Sequence, residues 1–177
     1  MPDLLEIVQL GNPILRHLSD PVENFDDSQL QKLIKSLLTT VTDANGVGIA
    51  APQVAQLHQL FIMASRPNER YPHAPNMEPT VVINPKILQA SEEMLTDWEG
   101  CLCIPGIRGK VPRHREIEVE YYDRLGMKQH RQFNNFLARI FQHEYDHLQG
   151  ILFLDRLDTL NDLATEKEYQ RLQQSGE

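Results

Sequence analysis

The 177-residue sequence predicts an α+β fold. Two segments repeat apolar residues at helical spacing, several shorter ones read as β-strands, and the two kinds are segregated along the chain. Past the N-terminal stretch, the first element is a helix. Leu30, Leu33, Ile34, Leu37, Leu38 and Val41 share one face after "DDS", which offers capping side chains, and "DANG" ends the run. "QLFIMA" and "TVVINP" read as short buried strands. "ERYPHAPNMEP" between them is rich in Pro and Asn and predicts a surface loop. "EIEVEYYD" alternates Ile117, Val119 and Tyr121 on one face, "RLG" turns the chain, and "MKQHRQF" returns as the hairpin partner.

The second helix is predicted from about 134 to 148, with Phe133, Phe136, Leu137 and Ile140 as its buried stripe and Gly150 as its stop. His143 and His147 continue that stripe and therefore point inward. A weaker helix over about 160–173 closes the chain. No linker or repeat divides residues 1–177, which are expected to form a single domain.

Bulk properties exclude several functions. A formal net charge of -8 argues against nucleic acid as a primary ligand, since phosphate neutralisation needs a basic face. "RGKVPRHREIEVE" offsets its bases with its own glutamates and reads as solvated surface. No apolar run is long enough to span a membrane. The N-terminus lacks a basic start followed by an apolar core, so a cytoplasmic location is expected. The two cysteines, Cys101 and Cys103, are too close for a relaxed disulfide. Cysteines grouped in this way in a reducing compartment read as ligands or reactive groups.

Three stretches carry chemistry. In "QHEYDH", His143 and His147 lie four apart on one helical face, a spacing that lets both bind one metal ion, and Glu144 can reach a metal-bound water. The alternative is a pair of core histidines with ordinary hydrogen bonds. A catalytic site needs a third protein ligand, and "DWEGCLCIPG" offers Cys101, whose thiolate with two imidazoles suits zinc or ferrous iron. Cys101 can equally be a small buried hydrophobe. "GVGIAAPQ" lacks the Lys-Ser/Thr end of a phosphate loop. Gly46 and Gly48 would instead let another backbone approach, as at an exposed strand edge, and Gln53 offers an amide donor.

In this order, "GVGIAAPQ", "EGCLC" and "QHEYDH" resemble the three motifs of the peptide deformylase family, and "GNPILR" and "GILFLDR" extend the likeness to about Arg156. The resemblance implies mostly antiparallel sheets packed around a central metal-binding helix, with a C-terminal helix. It implies hydrolysis of formate from the N-formyl-methionine of nascent polypeptides, with the ribosome left open as a partner and no membrane or nucleic-acid site. Cys101, His143 and His147 would hold one divalent metal, Fe2+ in the native state, with Zn2+, Ni2+ or Co2+ as substitutes. That metal would make water nucleophilic near neutral pH. Glu144 would carry the proton, and the Gln53 amide and Leu102 N–H would meet the developing oxyanion.

Substrate would dock as an added strand along Gly46, Val47, Gly48 and Ile49. Val47, Phe136 and Ile140 would line the methionine pocket, Arg139 its mouth, and Arg108 would contact substrate backbone. Cys103 stands where the family usually has serine. This opens a rival reading, a closed four-ligand zinc site made by Cys101, Cys103, His143 and His147. A third reading keeps the fold as an inactive binding protein.

Overall fold

The computed structural model describes residues 3–175. Helix α1 (Ser28–Asp43) starts where the Asp27 carboxylate accepts a hydrogen bond from the Gln29 N–H at 3.0 Å. That bond satisfies one of the donors orphaned at a helix start. Strands β1 (Gly48–Ala50), β2 (Leu60–Met63), β3 (Thr80–Ala90), β4 (Met94–Cys101), β5 (Ile104–His114), β6 (Glu116–Tyr122), β7 (Lys128–Asn134) and β8 (Leu163–Thr165) follow, with α2 (Asn135–Leu148) before β8 and α3 (Glu166–Ser175) after it. They form two sheets, ordered β1-β2-β3-β6-β7 and β4-β5-β8, and every strand pair is antiparallel. The fold is α+β.

The five-stranded sheet is covered on both faces, which is why "LFIM" is apolar without a break. Leu60 and Ile62 pack with Ile34, Leu37 and Val41 of α1. Phe61 and Met63, pointing the other way as strand alternation demands, pack with Ala138, Phe141 and Leu148 of α2. Phe61 meets Phe141 edge-on at 5.1 Å. A third cluster under the smaller sheet joins Leu15, Cys103, Ile104, Val111, Leu152 and Phe153. Helix α2 therefore lies between the sheets and is buried around nearly its whole circumference from Ala138 to Leu148. Among the described residues no helix is long and apolar enough to cross a membrane.

Four expectations change. "TVVINP" is only the buried start of the eleven-residue β3, whose far half is largely exposed. "RGKVPRHRE" is not solvated surface: it forms most of β5, with Arg108 and Arg113 buried, because acidic partners arrive from distant segments. Phe133 belongs to β7, so the stripe of α2 starts after it. The last predicted helix begins only at Glu166. Before it, Leu160–Asp162 make a 3-10 turn and Leu163–Thr165 pair with β5.

Helix α2 ends as its sequence requires. Gly150 has φ +71°, its N–H donates to His147 O at 3.2 Å, and the Ile151 N–H donates to Asp146 O at 3.0 Å. This is a Schellman stop, which glycine adopts without a Cβ penalty. A Cβ at Gly150 would also lie 2.6 Å from the backbone oxygen of Arg16. Gly150→Ala is therefore expected to destabilise the fold by about 2 kcal/mol or more, lowering the melting temperature by roughly 4–8 °C. A thermal melt of parent and variant checks this.

Candidate active site

The β4–β5 hairpin and helix α2 bring the chemistry together. Pairing slips between Glu99↔Gly109 and Cys101↔Ile104, so the hairpin tip bends over α2. Irregularities of this kind re-aim side chains at functional sites. Ligand atoms of Cys101, His143 and His147 lie within 4.8 Å of one another, a group that does not include Cys103. Cys101 Sγ is 3.2 Å from His147 Nε2.

The three residues can hold a metal ion, and their surroundings fit one. Burial pushes the Cys101 thiol well up, so a bare thiolate is disfavoured there and a cation would be its natural partner. Burial, with the charges of His143 and Arg113, holds His147 well below its ordinary range, leaving it neutral as a ligand must be. His143 Nδ1 sits 2.8 Å from Glu99 Oε2. Burial opposes protonation of this ring, yet the Glu99 contact raises its basicity. A carboxylate on the far nitrogen is what orients metal-ligating histidines.

Glu99 is the centre of a buried ionic network that the sequence reading passed over, although "EGCLC" contains it. Its carboxylate takes both Arg113 Nε at 2.9 Å and Nη2 at 3.1 Å, and Arg139 Nη1 at 2.8 Å, besides His143. Burial disfavours its charge, but Arg113 and His143 hold its pKa far below the usual carboxylate range. Asp146 bonds Arg113 Nη1 at 2.5 Å and Arg156 Nη2 at 2.7 Å. Asp146 lies three residues past His143, on the same helical face, and that spacing was the one available clue to it.

A cleft of about 460 Å³, counting its open mouth, runs beside the ligand group. Its lining includes Glu144 and His143 of α2, Gln53 and Leu102, and the apolar Val47, Phe136 and Ile140 beside Gly46 and Gly48. Among the described residues strand β1 pairs only with β2, so its other edge is unpaired there, and Gly46, Val47 and Gly48 line this cleft. Glu144 is buried, its pKa is pushed up to about 7 by desolvation, and its Oε2 has no partner among the described residues. It packs on Gly48 so closely that a Cβ there would meet Oε1 at 2.4 Å. Gln53 Oε1 accepts the Ala50 N–H at 2.7 Å, which fixes the amide and turns Nε2 toward Cys101 Sγ, 3.4 Å away.

Three expected substrate contacts also hold other partners. The Ile49 side chain packs in the α1 core, while its backbone stays in edge strand β1. Arg139 reaches the cleft wall, but its guanidinium is tied to Glu99, Val111 O and Leu95 O. Arg108 is fully buried, ion-paired to Glu166 at 2.7 Å and held between the Tyr71 and Tyr169 rings. The predicted surface loop instead delivers Arg70 and Tyr71 to the cleft, and the Tyr71 hydroxyl accepts from the Gly100 N–H at 3.2 Å.

Removing Glu99 leaves two buried guanidinium groups short of their counter-charge. Glu99→Ala is expected to destabilise by about 3–5 kcal/mol and to weaken metal retention by roughly 10–100-fold. Denaturant unfolding and metal titration of the variant test both.

A sequence model of the family described as Polypeptide deformylase matches residues 4–162. Peptide deformylase 2 of Nostoc sp. is 60% identical over 171 residues, covering 97% of this chain and 96% of that protein. Peptide deformylase 2 of Shewanella oneidensis is 49% identical, covering 86% of this chain and 83% of that one. Among solved structures, the Met-Ala-Ser-bound class I type b peptide deformylase of Acinetobacter baumannii superposes with a TM-score of 0.86 at 43% identity, over 89% of this chain and 100% of that chain. The chain belongs to the polypeptide deformylase family, metal-dependent hydrolases that remove the N-formyl group from nascent polypeptides.

Proposed function

We propose that Cys101, His143 and His147 hold one divalent metal ion, ferrous iron in the native state, and that Glu144, Gln53 and Leu102 act around it. Zinc, nickel or cobalt would serve the same ligands. The observation that carries this reading is the convergence of the three ligand atoms, within 4.8 Å, beside a buried carboxylate on one wall of the cleft. When bound, the metal supplies Lewis acidity that activates water and polarises the formyl carbonyl. Glu144 takes the proton released by water and hands it to the leaving amine. An Oε2 without a partner among the described residues, and a carboxylate packed on Gly48 in the lining of the cleft, support that role. The Gln53 Nε2–H and the Leu102 N–H donate to the carbonyl oxygen as negative charge develops.

The unpaired edge of β1 over Gly46, Val47 and Gly48 accepts the substrate as an added strand. Val47, Phe136 and Ile140 give the methionine side chain an apolar wall, and the Met-Ala-Ser-bound state of the Acinetobacter baumannii relative supports a methionyl peptide as the ligand. Arg108 and Arg139, both enclosed, act by positioning, while Arg70 takes the place at the cleft edge that they were expected to fill. Residues 1–177 work as one catalytic domain in the cytoplasm on formyl-methionyl chains emerging from the ribosome.

Two variants test the roles. Glu144→Ala is expected to keep its metal and lose about 10²–10⁴-fold in turnover. Formate release at the parent rate would remove Glu144 from the mechanism. Cys103→Ser is expected to keep one metal per chain and formate release within about tenfold of parent. Loss of the metal together with an early melt would favour the closed four-ligand zinc site.

A further inference from the structure

We propose that Cys101 and Cys103 form a peroxide-responsive dithiol, a modification site at which disulfide closure withdraws the Cys101 sulfur from the metal. The proposal rests on the reading of Cys101 as a ligand. Its basis is geometric. Cys101 pairs with Ile104 across the hairpin, and Leu102 and Cys103 form the turn between them. The bend brings the two sulfurs to 3.2 Å, so bonding requires an approach of about 1 Å to reach the usual S–S length of about 2.0 Å. Cys103 is fixed there. It is fully buried against Leu15, Leu152 and Phe153, and its carbonyl accepts the Leu10 N–H at 2.8 Å. A serine at position 103 could not make the bond.

Both sulfurs are buried, and Cys101 lies just behind the cleft wall, the side from which an oxidant would approach. Leu102, Gln53 and Glu144 line the cleft, and Gln53 Nε2 contacts Cys101 Sγ directly at 3.4 Å. One sulfur attacks hydrogen peroxide, breaking the O–O bond and becoming a sulfenic acid as water leaves. The neighbouring sulfur then attacks that sulfenic sulfur, the S–S bond forms and a second water departs. Two thiols and one peroxide give one disulfide and two waters, with both electrons passing from sulfur to oxygen. A metal held there would keep only the two imidazoles of His143 and His147 and would be released. A ring closed by residues two apart is strained and so readily reduced. A thiol reductant therefore returns both cysteines and the site. Without the second sulfur, the sulfenic acid proceeds to acids that do not revert.

The test treats zinc-loaded parent and Cys103→Ser protein with hydrogen peroxide, then with dithiothreitol. Intact mass, the mass of the peptide carrying residues 101–103, free zinc and formate release are followed. The parent is expected to lose two hydrogens from that peptide, release its zinc, and recover most of its zinc binding and formate release after reduction. The variant is expected to gain oxygen at Cys101 and to recover little. Oxygen gain without loss of hydrogens in the parent, or equal recovery in both proteins, would overturn the proposal. Disulfide formation with the zinc still bound would leave the dithiol standing but strike Cys101 from the ligand set.

Discussion

The Glu99 carboxylate is the point on which the smaller sheet and the central helix depend. It is buried and charged, a state that survives only where cations meet it on several sides. Arg113 comes from the facing strand of the same hairpin, and Arg139 and His143 come from α2. One group thus clamps the hairpin that carries Cys101 to the helix that carries both histidines. Asp146 adds a second clamp through Arg113 and Arg156. Such a network is a poor source of net stability, because desolvation offsets much of its attraction. Its effect is geometric. It fixes the orientation of His143 and the height of the hairpin tip above α2, and three ligands from two elements can then converge.

The cleft follows from a second constraint, the absence of a side chain at Gly48. Strand β1 is short and lies at the sheet edge, and the side chain of Glu144 occupies the space a Cβ would need. The unpaired strand edge and the Glu144 carboxylate therefore sit against each other. A peptide added to that edge would pass directly over Glu144. Gln53, in the turn after β1, is locked by the Ala50 N–H, so its donor end has one direction to point.

Much of this was legible in local pattern. The inward direction of His143 and His147 follows from helical spacing after Ile140, and the alternation of Ile117, Val119 and Tyr121 marked β6 correctly. The ordered motifs named the family. What local pattern could not show depends on partners far along the chain. Arg108 reads as a surface base until Glu166 and Tyr169 arrive from α3. Arg139 reads as a substrate contact until Glu99, forty residues earlier, takes it. The strand at Leu163–Thr165 exists because β5 offers it an edge, and its sequence alone reads as helix. Tyr71 came from a loop whose prolines announced only irregularity.

The central claim is that formate release belongs to a metal held by this hairpin and this helix. The most direct measurement is anaerobic formate release from a formyl-methionyl peptide, with metal content determined on the same sample before and after chelation and after readdition of ferrous iron. Activity is expected to follow occupancy in proportion, reaching its limit at one ion per chain. A chelated protein, free of metal and folded, that released formate at the untreated rate would contradict the account.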